Sequence, residues 1–162
     1  MMLVVADTGP LNYLIQIGAD HILPKLFEEV IIPSAVLTEL LDADTPKQVR
    51  DWIEYLPSWA SVRTPMKIEP LDLDPGEVEA IALTIELRAD LLIVDDLDAR
   101  GVAEKKGLAI VGTTGTLERA AAAGMIDLEL AFNRLRLTSF RGSSELYVAA
   151  LDRNRKRRDG RK

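Results

Sequence analysis

Acidic residues stand at the ends of two apolar runs that are far apart in the chain. Asp7 follows Leu3–Ala6, and the pair Asp95 and Asp96 follows Leu91–Val94. In a parallel α/β sheet the carboxyl ends of the strands meet at one crevice, where such folds bind ligands. Carboxylates brought together there repel one another unless a cation lies between them. The sequence therefore predicts a site for Mg²⁺ or Mn²⁺, which prefer oxygen ligands.

Two glutamates on predicted helices extend this acidic set. Glu39 lies in the helical stretch after Val30–Ile32 and borders the apolar face of that helix. Glu77 begins another helical stretch and shares a side of it with Ile81, which belongs to the buried face. Both have an ordinary alternative. A border residue such as Glu39 is commonly solvated, and the spacing from Asp74 to Glu77 is that of a helix capping box.

The other acids also have structural alternatives. Asp7 could cap the helix that begins after the first apolar run, a role as probable as cation binding when that motif is taken alone. The run that contains Asp95, Asp96 and Asp98 has more acids than one helix cap requires. We therefore expect Asp98 to be the cap, which leaves Asp95 and Asp96 for chemistry. Glu79 is expected to face solvent.

Composition narrows the class of protein. A chain of 162 residues is most naturally one domain with a sizeable core. It contains no cysteine, which excludes disulfides and thiolate chemistry and makes the reducing cytoplasm the expected compartment. His21 is the only histidine, so most histidine-based triads and zinc sites are excluded. No apolar run approaches the roughly 20 residues of a membrane span, so no membrane partner is expected.

The net charge of −6 is unevenly distributed. Residues 152–162 carry seven Lys or Arg against two Asp, so the rest of the chain is strongly acidic. We predict a single domain over residues 1–150 and a basic, flexible tail over residues 151–162. The tail is either a frayed terminus that aids solubility or a segment that binds phosphates. Its cations are Arg153, Arg155, Lys156, Arg157, Arg158, Arg161 and Lys162.

Short apolar runs alternate with stretches of helical periodicity along the chain. The continuous character of the runs is typical of strands buried on both faces of a parallel sheet. The expected strands are Leu3–Ala6, Val30–Ile32, Leu91–Val94 and Ala109–Val111, with a short one at Ser61–Arg63. The expected helices lie near 10–18, 33–42, 46–56, 76–88, 98–106, 115–123, 127–135 and 144–155. This order predicts an α/β fold with a mainly parallel sheet and a helical C-terminal addition.

Four motifs, in this order and spacing, resemble those of the PIN domain family. They are Asp7-Thr8-Gly9-Pro10-Leu11, Ile32-Pro33-Ser34-x-Val36-x-x-Glu39-Leu40, Gly76-Glu77-x-Glu79-Ala80-Ile81-Ala82-Leu83 and Leu92-Ile93-Val94-Asp95-Asp96-x-x-Ala99-Arg100. The stretch Gly107 to Leu117 is similar to a prokaryotic PIN-like subgroup. The likeness covers most of residues 2–126.

The resemblance implies a three-layer α/β/α fold and a metal-dependent nuclease, usually an endoribonuclease that cleaves single-stranded RNA. It also suggests the VapC-type toxin of a toxin–antitoxin pair, with a small antitoxin protein as partner, and a homodimer. The alternative is a PIN-like module that binds RNA or protein with little or no cleavage. Carried over by position, the catalytic acids are Asp7, Glu39, Glu77 and Asp96.

The expected ligands of Mg²⁺ or Mn²⁺ are the same four acids together with Asp95, with Asp7 and Asp96 as the principal ones. Thr8, Arg100 and Thr113 are the expected substrate-binding residues.

Overall fold

A computed structural model describes residues 2–160 of the chain. Within that range one sheet has five strands, all parallel, in the order β3-β2-β1-β4-β5. The strands are β1 Leu3–Ala6, β2 Glu29–Pro33, β3 Ala60–Arg63, β4 Leu91–Ile93 and β5 Ile110–Val111. Their apolar residues are buried on both faces, as the continuous apolar runs predicted.

Helices cover both faces of the sheet. They are α1 Thr8–Gln16, α2 Leu23–Leu26, α3 Ser34–Leu40, α4 Lys47–Glu54, α5 Pro75–Glu86, α6 Leu97–Lys105, α7 Thr113–Ala122, α8 Leu128–Arg136 and α9 Ser144–Asp159. A short 3₁₀ helix, Asp20–Ile22, precedes α2. None of the helices in residues 2–160 is both long enough and apolar enough to span a bilayer.

The strand residues divide alternately between two apolar cores. Val4 and Ile93 pack with side chains of α1, α4, α7, α8 and α9, whereas Val5 and Leu92 pack with side chains of α5 and α6. Because successive strand residues point to opposite faces, β1, β2, β4 and β5 contribute to both cores, whereas β3 contributes to the first alone. The result is a three-layer α/β/α fold, as the family resemblance implied, around the parallel sheet that the apolar runs predicted.

The order in which strands are added to the sheet reverses at β1. From β1 the chain proceeds outward through β2 and β3, and then returns to place β4 and β5 on the other side. Val5 is opposite Ile31 on one neighbour and Leu92 on the other, so the carboxyl ends of the three strands are level. The Asp7 N–H donates to the Ile93 carbonyl at 3.0 Å. A crevice at the carboxyl ends of β1 and β4 is the position where open α/β sheets bind ligands.

The structure differs from the sequence prediction in several elements, and strand ends and the start of α7, at Thr113 rather than near residue 115, differ by one or two residues. Helix α1 begins at Thr8 rather than near residue 10, and the 3₁₀ helix and α2 were not predicted. The expected boundary at residue 150 falls inside α9, which continues to Asp159. Burial of Asn154 and a 2.8 Å salt bridge from Arg153 to Glu118 of α7 hold this part of α9 on the domain. Arg161 and Lys162 of the expected tail lie outside the described residues.

Candidate active site

The carboxyl ends of β1 and β4 open into a cleft of about 210 Å³. Asp7 follows β1, Glu39 comes from α3, Glu77 comes from the first turn of α5, and Asp95 and Asp96 follow β4. The structure thus brings all five predicted acids to the wall of one cleft. The lining residues are Asp7, Thr8, Gly9, Pro10, Glu39, Asp74, Glu77, Asp95 and Asp96.

Asp7 is the most buried of these acids, with 6% of its surface exposed. It lies at the N-cap position of α1, but its side chain makes no capping hydrogen bond, and its Oδ1 atom is buried without a partner. Burial raises the pKa of Asp7 to about 7, and the charges of Glu39, Asp95 and Asp96 add to the rise, while the Thr8 backbone N–H opposes it. An unpartnered buried oxygen is costly, so a cation there would relieve it.

Glu77 is also buried and also lacks a hydrogen-bond partner on its carboxylate among the described residues. Burial, followed by the charges of Asp96 and Asp7, raises the pKa of Glu77 to about 8. Asp74 occupies the N-cap position of α5, but its side chain makes no capping bond. The capping-box alternative for Glu77 is therefore not formed.

Glu39 is held by hydrogen bonds at both carboxylate oxygens. The Thr8 hydroxyl donates to Oε2, and the Gly76 N–H donates to Oε1 at 3.1 Å. A Cβ atom at residue 76 would lie 2.9 Å from both of these oxygens. The glycine therefore lets the N-terminus of α5 approach the carboxylate of Glu39, and this contact fixes the position of Glu39 in the cleft.

Asp95 is held in a similar way from the other side of the cleft. The Thr113 N–H donates to Oδ1 at 2.7 Å and the Thr113 hydroxyl donates to Oδ2 at 2.6 Å. Burial raises the pKa of Asp95, although these two hydrogen bonds and the nearby Arg100 guanidinium oppose the rise. Thr113 is fully buried, so the structure gives it the task of positioning Asp95 rather than of touching a substrate.

Asp96 is exposed and caps α6. Its Oδ2 accepts the Ala99 N–H at 3.0 Å, while Oδ1 has no hydrogen bond to any residue from 2 to 160. The expectation that Asp98 would be the cap was wrong, because the helix begins at Leu97 and Asp98 is already in its first turn. The cap occupies one oxygen of Asp96 and leaves the other at the cleft.

Glu79 has a structural role that the sequence did not indicate. Its Oε1 accepts the Ser34 hydroxyl at 2.7 Å and the Ala35 N–H at 3.0 Å, which ties the start of α3 to α5. The expectation that Glu79 faces solvent was therefore wrong. The contact keeps the two helices that carry Glu39 and Glu77 in register. No sequence signal points to it, because the partners are more than 40 residues apart.

The donor set of the cleft suits a hard divalent cation, because every candidate ligand is an oxygen. The unpartnered Oδ1 of Asp7 and the raised pKa values of Asp7 and Glu77 are features that a bound cation would relieve. Across residues 2–160, however, no three Asp, Glu or His side chains are already arranged as a metal site. Glu39, Asp95 and Asp96 are instead directed at hydrogen-bond donors, so ligation requires local adjustment of side chains.

Comparison with known proteins places this architecture in a family. No curated protein matches the chain significantly. Among solved structures, a PilT N-terminus domain protein from the hyperthermophilic archaeon Sulfolobus solfataricus P2 is similar with a TM-score of 0.51 at 17% identity. That match covers 87% of this chain and 100% of the other, and it supports the fold alone. A family model, DUF3368, described as a PIN domain, matches residues 3–156. The chain therefore belongs to the PIN domain family, whose members are generally nucleases and typically use divalent metals.

Proposed function

We propose that this protein is a divalent-metal-dependent endoribonuclease that hydrolyses phosphodiester bonds of single-stranded RNA. The observation that carries the proposal is the buried Asp7 carboxyl, which has an unpartnered oxygen and acidic neighbours at the crevice of the sheet. A purely structural aspartate at a helix N-cap would have accepted a backbone N–H, as Asp96 does. Family membership adds that such a site belongs to a nuclease class.

In this proposal Asp7 and Asp96 are the principal metal ligands, and Glu39, Glu77 and Asp95 complete the set directly or through water. Mg²⁺ or Mn²⁺ bound there would acidify a water molecule and offset the negative charge that develops on the phosphate. Each principal ligand has one oxygen without a hydrogen bond among the described residues. Those two atoms are the ones that a cation would satisfy.

The other residues of the cleft orient groups and handle protons. Glu39 cannot rotate freely, because Thr8 and Gly76 hold both of its oxygens, so it is suited to orient an attacking water. Glu77 has no hydrogen-bond donor among the described residues, so its carboxylate is available to accept a proton from that water. Arg100 lies beside Asp95 and presents a cation suited to a phosphate oxygen.

A toxin role, a small antitoxin partner, a homodimer and a cytoplasmic location are further parts of this proposal, and they rest on the family resemblance. Co-purification of a small protein with the chain expressed from its own genomic neighbourhood tests the antitoxin. Light scattering of the purified chain tests the homodimer. A monomer that recovers no partner would contradict these two parts and leave the nuclease proposal unaffected.

Cleavage of a labelled single-stranded oligoribonucleotide tests the nuclease. The unmodified protein should produce fragments with Mn²⁺ or Mg²⁺ and none with EDTA. Asp7→Asn and Asp96→Asn should lose the cleavage. Asparagine caps helices as well as aspartate does, so the second variant removes charge while it retains the cap of α6. Asp98→Asn, an exposed neutralisation in the same helical turn, is the matched control and should cleave normally.

Two results would contradict the nuclease. RNA binding without metal-dependent cleavage by the unmodified protein would favour the alternative, a PIN-like binding module. Cleavage that persists in both aspartate variants would show that it arises elsewhere or from a contaminant.

A further inference from the structure

A groove of about 830 Å³ adjoins the acidic cleft and shares Asp95 with it. Its walls come from α6, from the start of α7, from the segment between α8 and α9, and from α9 itself. Three arginines line it, namely Arg100 of α6, Arg141 of the segment before α9, and Arg153 of α9, together with the acids Asp95, Glu104 and Glu118. The groove thus joins the candidate active site to the C-terminal helices.

Two of these arginines are available for a ligand. Arg100 is half-buried and Arg141 is exposed, and within residues 2–160 neither makes a hydrogen bond or a salt bridge. Arg153 differs, because it makes hydrogen bonds to both carboxylate oxygens of Glu118, one of them at 2.8 Å. Burial would raise the pKa of Glu118, but the Arg153 and Arg157 guanidiniums hold it below its ordinary value. Glu118 therefore compensates Arg153, whereas Arg141 has no carboxylate partner within residues 2–160 and Arg100 has only the nearby charge of Asp95.

Arg100 is also placed close to the cleft. A Cβ atom at residue 112 would lie 2.8 Å from Oδ1 of Asp95 and 2.9 Å from Nη1 of Arg100. Gly112 therefore leaves the space in which this carboxylate and this guanidinium approach each other. A phosphate held by Arg100 would be next to the acids that the proposed function assigns to hydrolysis.

Apolar side chains line the same groove as the arginines. Leu97, directly after Asp96, is 82% exposed, and Leu146 and the half-buried Phe140 also line the groove. Exposure of an apolar leucine side chain to water is unfavourable, and the flat face of a base could cover it. Proteins that bind single-stranded nucleic acid combine cations, which contact phosphates, with aromatic side chains, on which bases stack, and Phe140 is the aromatic residue that lines this groove.

We propose that this groove holds the segment of single-stranded RNA that flanks the scissile phosphate, with Arg100 and Arg141 each bound to a phosphate. The inference rests on the proposed function, because it takes the acidic cleft as the site of cleavage. The chain is acidic overall, at −6, so attraction of RNA must come from local unpaired cations. Arg141, which has no carboxylate partner within residues 2–160, meets that requirement, and Arg100 adds N–H groups that no hydrogen bond in that range uses.

Fluorescence anisotropy with a labelled oligoribonucleotide tests the groove. Binding is measured in EDTA, where no cleavage is expected, at several salt concentrations. Arg100→Gln and Arg141→Gln should each weaken binding by about 5- to 10-fold at low salt and reduce the slope of log K against log[salt] by roughly 0.7, the value for one phosphate contact on a single strand. The matched control is Arg119→Gln, an exposed arginine of α7 that does not line the groove and should change neither quantity.

The results separate this inference from the nuclease proposal. If the unmodified protein cleaves no RNA but the two groove variants lose affinity, the nuclease proposal fails and the groove is supported. If it cleaves RNA and both variants bind and cleave as Arg119→Gln does, the groove is overturned while the nuclease stands. Equal affinity for a duplex of the same sequence would also overturn the single-strand assignment. Unchanged thermal melting of the variants verifies that their fold is intact.

Discussion

The five acids of the cleft divide into two groups that differ in what holds them. Glu39, Asp95 and Asp96 each accept hydrogen bonds from the protein, in which Thr8, Gly76, Thr113 and Ala99 are the donors. Asp7 and Glu77 are buried and have no such donor, apart from the N–H of Thr8 beside Asp7, and their pKa values are raised to about 7 and about 8. We refer to these as the tethered and the untethered acids.

The difference shows which carboxylates the protein stabilises with hydrogen-bond donors and which it leaves without them. Tethered acids are held by donors that belong to the protein, so in the metal-free protein these hydrogen bonds set the positions of their carboxylates. Untethered acids carry an electrostatic cost that the protein leaves uncompensated. A set of acids that binds a cation is expected to include both kinds. Some carboxylates are positioned by hydrogen bonds from the protein, and others are buried without donors and therefore gain most from a positive charge.

The largest effect that we expect concerns the stability of the metal-free protein. Asp7 and Glu77 have raised pKa values, from 3.8 to about 7 and from 4.5 to about 8. Between pH 3.8 and about 7 Asp7 has lost its proton in the unfolded chain but keeps it in the folded protein, and the same holds for Glu77 between pH 4.5 and about 8. The free energy of unfolding therefore falls as the pH rises through these ranges. Three pKa units correspond to on the order of 4 kcal/mol as an upper limit for Asp7.

Urea denaturation in EDTA at pH 5 and pH 8 measures this dependence. Asp7→Asn should be more stable than the unmodified protein at pH 8 and should flatten the pH profile, while Asp98→Asn should do neither. Mn²⁺ should raise the stability of the unmodified protein most at pH 8. A profile that is unchanged in Asp7→Asn would remove the distinction between tethered and untethered acids.

The next effect is on cleavage. Asp7→Asn should lower kcat/KM for RNA by more than about 100-fold, because outer-shell partners of metals already account for roughly 10- to 100-fold and Asp7 is a proposed direct ligand. The same substitution should raise stability, so its loss of activity cannot be attributed to unfolding. Single-turnover cleavage at saturating Mn²⁺ is the measurement. Retention of activity at a high Mn²⁺ concentration would contradict direct ligation.

A smaller loss is expected from Gly76→Ala, which moves a tethered acid without removing any charge. The added methyl group would lie 2.9 Å from the Glu39 oxygens and displace that carboxylate from the Gly76 N–H. Cleavage should fall by roughly 10- to 100-fold. Glu39→Gln removes the charge of the same carboxylate that Gly76→Ala displaces. Gly76→Ala should therefore add little to the loss of cleavage that Glu39→Gln causes. Additive losses would show that Gly76 acts by another route.

The smallest effect is expected from Thr113→Val, which removes the hydroxyl that holds Asp95 but retains the backbone N–H. Cleavage should fall by about 10-fold, the lower end for outer-shell partners. Thr116→Val is the matched control, because Thr116 is equally buried on the same helix and its hydroxyl bonds only to the Gly112 carbonyl. Equal losses in the two variants would mean that the effect is one of helix packing.

The sequence predicted the parts of this arrangement that depend on local pattern. Continuous apolar runs identified β1 and β4, and the rule that parallel strands converge at their carboxyl ends placed Asp7 near Asp95 and Asp96. Helix α2 was not predicted, because its four residues are too few to show an amphipathic period. The choice between Asp96 and Asp98 as the cap of α6 depended on a difference of two residues in where the helix begins, which is the usual uncertainty of a boundary.

The tethers could not be predicted, because each joins residues that are distant in the chain. Thr113 and Asp95 are 18 positions apart, Gly76 and Glu39 are 37 apart, and Ser34 and Glu79 are 45 apart. Their pairing depends on how helices are placed on the sheet. The sequence predicted a helix to about residue 155, but not that its last part is held on the domain, because that depends on Glu118 of α7, which forms salt bridges with Arg153 and Arg157.

The pairing of β1 with β4 has a consequence for the order in which the protein is made. β1 and β2 are close in sequence and can associate early, whereas Val4 meets Leu91 only after 87 further residues have been synthesised. The seam between these two strands is where the acids from both halves of the chain come together. A nascent polypeptide on the ribosome therefore has half of the cleft and no complete catalytic centre until β4 has emerged and docked.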